Sequence, residues 1–418
     1  MKSRFAWEGL LFLWLYSGIL RNLLPQLNYV LYLLPFLIAF TYFLAARSIF
    51  KSAETIRVFL LLFLILIFTF QAMHYLFRSI DLKVIFTGLI LYGMAATIIF
   101  IGFNSEPCKL LQPLIRSIEI AIPINLVLVA LQVIGNLEFF RISPLTGGEA
   151  MTTDGNVLRA LGTFTHPTGY ATFLSVASVV VIYQFESETK MKRSINLFQL
   201  GFLYLLSGSR TVFINLALII LTLVYLKRRS LREQGRLGAS RIVVSMITAL
   251  GLAFVMLRYR FNWVLESFAN RISTASTQEN SVKRILNQSF GWYKDIGESL
   301  WGQGLSSYST VSIGFAKDRS AWIEDDLTKI VAEAGSILGI AIIVLRWGMP
   351  LVIHVRVKNS RTEKKDFIYL LLSACFSNLT VGAMMGQGSV SLQVWICLSL
   401  CINLTSNTSR KQKGLDST

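Results

Sequence analysis

Hydrophobic and polar positions in this chain alternate in long blocks, not residue by residue. Nearly uncharged apolar runs of roughly 17 to 22 residues recur from end to end, each about the length of helix that the hydrocarbon core of a bilayer demands. Twelve spans in all are predicted as helices, some shorter and one longer than this, near residues 5–20, 28–46, 57–77, 84–103, 115–135, 167–185, 194–208, 211–226, 242–257, 327–354, 366–385 and 389–404. The ten-residue alternation of an outer-membrane barrel is absent, and the apolar runs are continuous. The expected fold class is therefore all-α, a polytopic integral membrane protein with about 12 transmembrane helices.

Composition agrees. Of 418 residues 54% are hydrophobic and 15% charged, and mean hydropathy is positive, too oily for a water-soluble domain. Met1 to Arg4 precede an apolar stretch without a small-residue cleavage site, so Phe5 to Leu20 reads as the first span and not as a removed signal peptide. The net charge of +17 is spread among short loops. No Lys/Arg-rich arm with interleaved aromatics points to nucleic acid, whereas a membrane collects such residues in its cytoplasmic loops. With a cytoplasmic amino terminus, the basic clusters at Arg47 to Arg57, Lys109 to Arg116, Lys190 to Arg193, Lys227 to Arg241, Arg356 to Lys365 and Arg410 to Lys413 all fall on one side. The count is most sensitive at 194–208 and 211–226, where only the turn Ser207-Gly208-Ser209-Arg210 separates two runs; reading them as one span would invert everything downstream. Cys108, Cys375, Cys397 and Cys401 lie in or beside apolar segments, with the spacing of neither a disulfide framework nor a metal site.

The expected organisation is membrane helices 1–9 over residues 1–257, a large extracytoplasmic loop over 258–326, helices 10–12 over 327–404, and a cytoplasmic tail over 405–418. The loop is 69 residues long and rich in Arg, Lys, Trp, Tyr and Gly. So long a polar interval, held at both ends by membrane helices, is where chemistry is expected. Asn136 to His166 and the Ser207 to Arg210 turn face the same side.

Four motifs lie on that face, each with a plain structural alternative. Arg159 to Gly162-Thr163-Phe164-Thr165-His166-Pro167 opens a span: a helix start with Arg nearby suits an anion, and it also suits a simple capped junction. In the Ser207 to Arg210 turn the guanidinium either snorkels to the interface or binds a diphosphate. Arg284, Trp292, Tyr293, Trp301-Gly302-Gln303-Gly304 and Tyr308 place aromatic faces beside cations, as a sugar phosphate or a bilayer-lying amphipathic helix would require. Glu324, Asp325 and Asp326, followed by Glu333 and Gly335, are clustered carboxylates of which one could act as a base, or else the acidic start of a helix.

In this order the motifs resemble the O-antigen ligase and polysaccharide polymerase superfamily of bacterial membrane glycosyltransferases, over roughly Arg159 to Gly339. The resemblance implies a GT-C-like fold and an inverting, metal-independent and cofactor-free transfer at the outer face of the cytoplasmic membrane. The donor would be a glycan on undecaprenyl diphosphate, the partners that lipid-linked glycan, the bilayer and other polysaccharide-assembly proteins. Bidentate guanidinium groups suit a departing diphosphate. Two departures stand out: Glu324 and Asp325 occupy the places of a His-Asn pair found in the ligases, and Thr168 follows His-Pro where the family often has Asn.

The expected function is therefore polymerisation of lipid-linked oligosaccharide units into O-antigen or exopolysaccharide. Glu324, with Asp325 as the second candidate, would deprotonate the acceptor hydroxyl; Arg159, Arg210 and Arg284 would hold the diphosphate; His166, Trp301 and Tyr308 would contact substrate. The alternatives are a ligase acting on a lipid or protein acceptor, and a transporter or flippase, which would instead place ionisable groups at the bilayer midplane and interrupt paired spans with Gly or Pro.

Overall fold

The computed structural model describes residues 2–46, 51–78, 81–106, 109–135, 160–164, 166–207, 209–234, 238–266, 269–270, 273, 286–287, 289–295, 300–308, 325–360, 362, 364–380 and 388–405. Among the described residues there is no strand, and twelve long helices carry the fold. They are α1 (Lys2–Leu23), α2 (Asn28–Ala45), α3 (Lys51–Arg78), α4 (Leu82–Phe103), α5 (Leu111–Val133), α6 (Pro167–Gln184), α7 (Lys190–Leu206), α8 (Arg210–Gln234), α9 (Gly238–Arg260), α10 (Asp326–Asn359), α11 (Lys365–Thr380) and α12 (Gly388–Thr405). Each coincides with one apolar run. Six are long and apolar enough to cross a membrane: α3, α4, α5, α9, α10 and α12. α3 turns Phe59, Leu62, Leu66 and Phe68 outward, an apolar surface that water would not tolerate and lipid would.

α4, α6 and α12 form the interior. α12 lies along α4 in parallel, with Ser399 Oγ donating to Ile98 O at 2.9 Å and Asn403 Nδ2 donating to Gly102 O at 3.1 Å and Ser105 O at 2.9 Å. In α6 the hydroxyls of Thr172, Ser175 and Ser178 donate to carbonyls one turn back, so a Ser/Thr-rich helix can be buried without orphaned polar groups.

Cross-helix contacts fix which helix ends lie together. At one end Trp7 Nε1 donates to Leu110 O, Asn104 Nδ2 to Tyr42 Oη, and Lys192 pairs with Glu119 at 2.6 Å, while Arg356 sits over the Phe103 ring. Arg57, which donates to Ala46 O at 3.0 Å just past Tyr42, shares that end with Lys109, Lys192 and Arg356. At the other end Ile19 N donates to Thr163 O, and Tyr170 Oη to Leu203 O, joining the end of α1 to the loop before α6 and the start of α6 to the end of α7.

α10 departs from the single rod expected over 327–354. Residues 326 and 346 would stand about 30 Å apart on a straight helix, yet Arg346 Nη1 pairs with Asp326 Oδ2 at 2.5 Å. The chain reverses at Gly335, whose φ of 77° and ψ of 173° are non-helical. The helix is therefore a hairpin with arms 326–334 and 336–359, Gly339 facing Val331 across it. Arg346 also donates through Nε to Leu379 O at 2.8 Å and through Nη2 to Asn378 O, tying the hairpin to the end of α11. Both charges are buried, so removing one leaves the other uncompensated. Arg346→Met is expected to destabilise the protein by about 3–5 kcal/mol, and adding Asp326→Leu to recover a good part of that, as read by thermal unfolding in detergent.

Candidate functional site

Residues 300–308 are seated in the break of α10. A helix that stops at Gly335 leaves the carbonyls of Ala332 and Glu333 without the amides one turn ahead. The loop supplies replacements: Gln303 N donates to Ala332 O and Gly304 N to Glu333 O, each at 2.9 Å. The Glu333 carboxylate then reaches back. Its Oε2 accepts from Ser306 N at 2.7 Å and from Tyr92 Oη at 3.0 Å, and its Oε1 from Tyr308 N at 2.9 Å. From α3, Gln71 closes the other side, accepting from Leu305 N at 3.0 Å and donating to Leu305 O at 3.1 Å. Leu305, Ser306 and Ser307 are consequently fully buried. Trp301-Gly302-Gln303-Gly304 and Glu333-Ala334-Gly335, which read as two motifs in the sequence, are halves of one device. Trp301 remains exposed and Tyr308 half-buried at its rim.

A second loop is held just as firmly. Gln132 of α5 accepts from Leu161 N at 3.0 Å and Gly162 N at 2.8 Å and donates to Gly162 O at 3.0 Å; Asn125 accepts from Thr163 N at 2.9 Å. Gly162 turns the chain with φ +56°, and His166 caps α6, its Nδ1 accepting from Thr168 N at 3.2 Å, with Pro167 in the first turn. Accepting at Nδ1 requires the neutral ring, and burial lowers the His166 pKa from 6.5 to about 4. The unfolded chain takes up that proton below about 6.5 while the folded chain does not, so this contribution to stability is present above that pH and lost as pH falls toward 4. His166→Asn, which preserves the cap, is expected to flatten the acid limb of a thermal-unfolding profile between these two values.

The third element is the turn between α7 and α8. Ser207 Oγ donates to Tyr204 O at 2.6 Å and accepts from Ser209 N at 3.4 Å, and Arg210 is the first residue of α8. The side chain of Arg210 lies outside the described residues, as do Arg159, Arg284 and Glu324 altogether. Asp325 is the N-cap of α10, accepting from Leu327 N at 3.3 Å and Thr328 Oγ1 at 2.5 Å; burial raises its pKa against the pull of these hydrogen bonds. Asp326 is committed to Arg346. Among the described residues no three His, Cys, Asp or Glu side chains gather as metal ligands.

No family model, curated protein or solved structure matches this chain. Several of the residues that hold these loops carry no motif in the sequence. Gln71, Asn125 and Gln132 each stand inside an apolar run. A lone amide there is the available signal, because it must find a partner within the protein.

Proposed function

We propose that this chain is a membrane glycosyltransferase that polymerises undecaprenyl-diphosphate-linked oligosaccharide units at the outer face of the cytoplasmic membrane. In this reading all twelve helices cross the bilayer in a GT-C-like arrangement, with both termini cytoplasmic. Supporting it most is the contact between the start of α6 and the end of α7 at one end of the bundle, while Arg57, Lys109, Lys192 and Arg356 occupy the other. A membrane enzyme acting on an extracytoplasmic lipid-linked substrate needs that polarity.

Arg159, Arg210 and Arg284 hold the diphosphate and compensate its charge as it leaves. Glu324 takes the proton of the acceptor hydroxyl; Asp325, held as a cap, is its neighbour and substitute. The bond formed joins the acceptor oxygen to the donor's anomeric carbon, and the bond broken releases polyprenyl diphosphate.

The test is the lipid-linked glycan profile of a deletion strain on gels. A polymerase leaves single units on the carrier, whereas long chains accumulating there indicate a ligase and overturn the reading. The broken helix α10 and its buried Asp326–Arg346 pair favour a transporter as a second reading; that reading predicts units confined to the inner leaflet in the deletion strain.

A further inference from the structure

Arg21 stands near the carboxyl end of α1, 6% exposed, and opens on a narrow cleft between α1, α2, α4 and the start of α12. Among the described residues no carboxylate pairs with it. Its Nε has no acceptor, and the guanidinium lies 5.5 Å from the centroid of the Tyr32 ring. The Tyr32 hydroxyl is buried and equally without a partner. Ser17 and Ser389 line the same cleft, whose enclosed part is about 10 Å³, room for a single oxygen, with the remainder open at its mouth. Two buried donors left unpaired are costly for any protein to maintain, and a guanidinium is the more costly of the two.

The nearby carboxylate, Glu333, does not answer them, since its oxygens are taken by Tyr92, Ser306 and Tyr308. What satisfies both is an oxyanion, for which the planar guanidinium fork is suited. The rest of the wall is apolar, with Ile90, Leu91 and Leu392, and so suits an anion carried on hydrocarbon. We infer that the Arg21–Tyr32 cleft binds a phosphate ester, and, on the reading proposed above, a phosphate of the lipid-linked donor. It adjoins the second loop: a side-chain carbon at Gly169, three residues past His166, would stand 3.0 Å from Ser389 Oγ.

The full chain, purified in neutral maltoside detergent, is titrated with farnesyl diphosphate, inorganic pyrophosphate and phosphatidylglycerol, following heat shift and calorimetry. Arg21→Gln is expected to weaken phosphate-ester binding at least tenfold, and Arg21→Lys less. Tyr32→Phe is expected to weaken it several-fold while leaving the ligand-free unfolding temperature unchanged or raised, because the lost hydroxyl had no partner. Tightest binding of farnesyl diphosphate assigns the site to a polyprenyl headgroup and of phosphatidylglycerol to bulk lipid, whereas tightest binding of inorganic pyrophosphate, which is no ester, overturns the phosphate-ester assignment. Wild-type affinity for all three probes in both Arg21→Gln and Tyr32→Phe overturns the site. Loss of binding in Arg21→Gln alongside an unaltered glycan profile in the deletion strain leaves the site standing and removes only the proposed function.

Discussion

Glu333→Ala is expected to unseat residues 300–308 and to lower the unfolding temperature more than removal of any single hydrogen-bond donor that contacts it. The alanine leaves Ser306 N, Tyr308 N and the Tyr92 hydroxyl without their acceptor. At about 1–3 kcal/mol for each buried group left unpaired, the loss is on the order of 5 kcal/mol. Glu333→Gln keeps one acceptor oxygen but turns an amide donor toward amide donors, so it falls between. Tyr92→Phe, which removes one donor and leaves the two amides paired, is the mildest. The order Tyr92→Phe, Glu333→Gln, Glu333→Ala is checked by thermal unfolding and by protease cleavage within 300–308. Equal effects from all three would show that the carboxylate does not organise the loop.

Gly335→Ala is expected to be comparably severe for a different reason. Its backbone sits where essentially only glycine is found, and an added carbon would stand 2.2 Å from Leu300 O and 2.6 Å from Gly302 N. Gly302 mirrors it with φ +63° and an added carbon 2.3 Å from Glu333 O. Relief requires the loop to leave the break, which reopens the unpaired carbonyls of Ala332 and Glu333; a loss above about 3 kcal/mol follows from the strain and these groups together. Gly251 and Gly348, helical and with open space at the same position, are the controls. Alanine there is expected to stabilise by about 0.5–1 kcal/mol.

Helix placement was legible in the sequence because the length of an apolar run is a local property. The run at 84–103 forms α4, Leu82–Phe103, and the narrow interval at 207–209 separates two helices. Pro167 and His166 announced the start of α6 for the same reason, since capping is settled within a few residues. The break in α10 was not legible. Gly335 looks like any glycine in an apolar run, and what makes it a hinge is a loop 33 residues earlier pressing Gly302 against it. Asp326 and Arg346 are also unreadable as a pair, because a straight helix would keep them apart. Arg21 resembles an ordinary basic flank of a span, and only the packing of α2 and α12 against α1 encloses it. Contacts that depend on distant chain segments leave no mark in periodicity.

Reconstitution reads the proposed polymerisation itself. Purified chain in liposomes is supplied with lipid-linked repeat units, and chain growth is followed on gels together with released polyprenyl diphosphate. Wild-type protein is expected to elongate the glycan and release one polyprenyl diphosphate for each unit added, and Arg210→Lys and Arg284→Lys, inserted in equal amount, to do neither. No elongation by the wild type, or full elongation by both lysine variants, would contradict it.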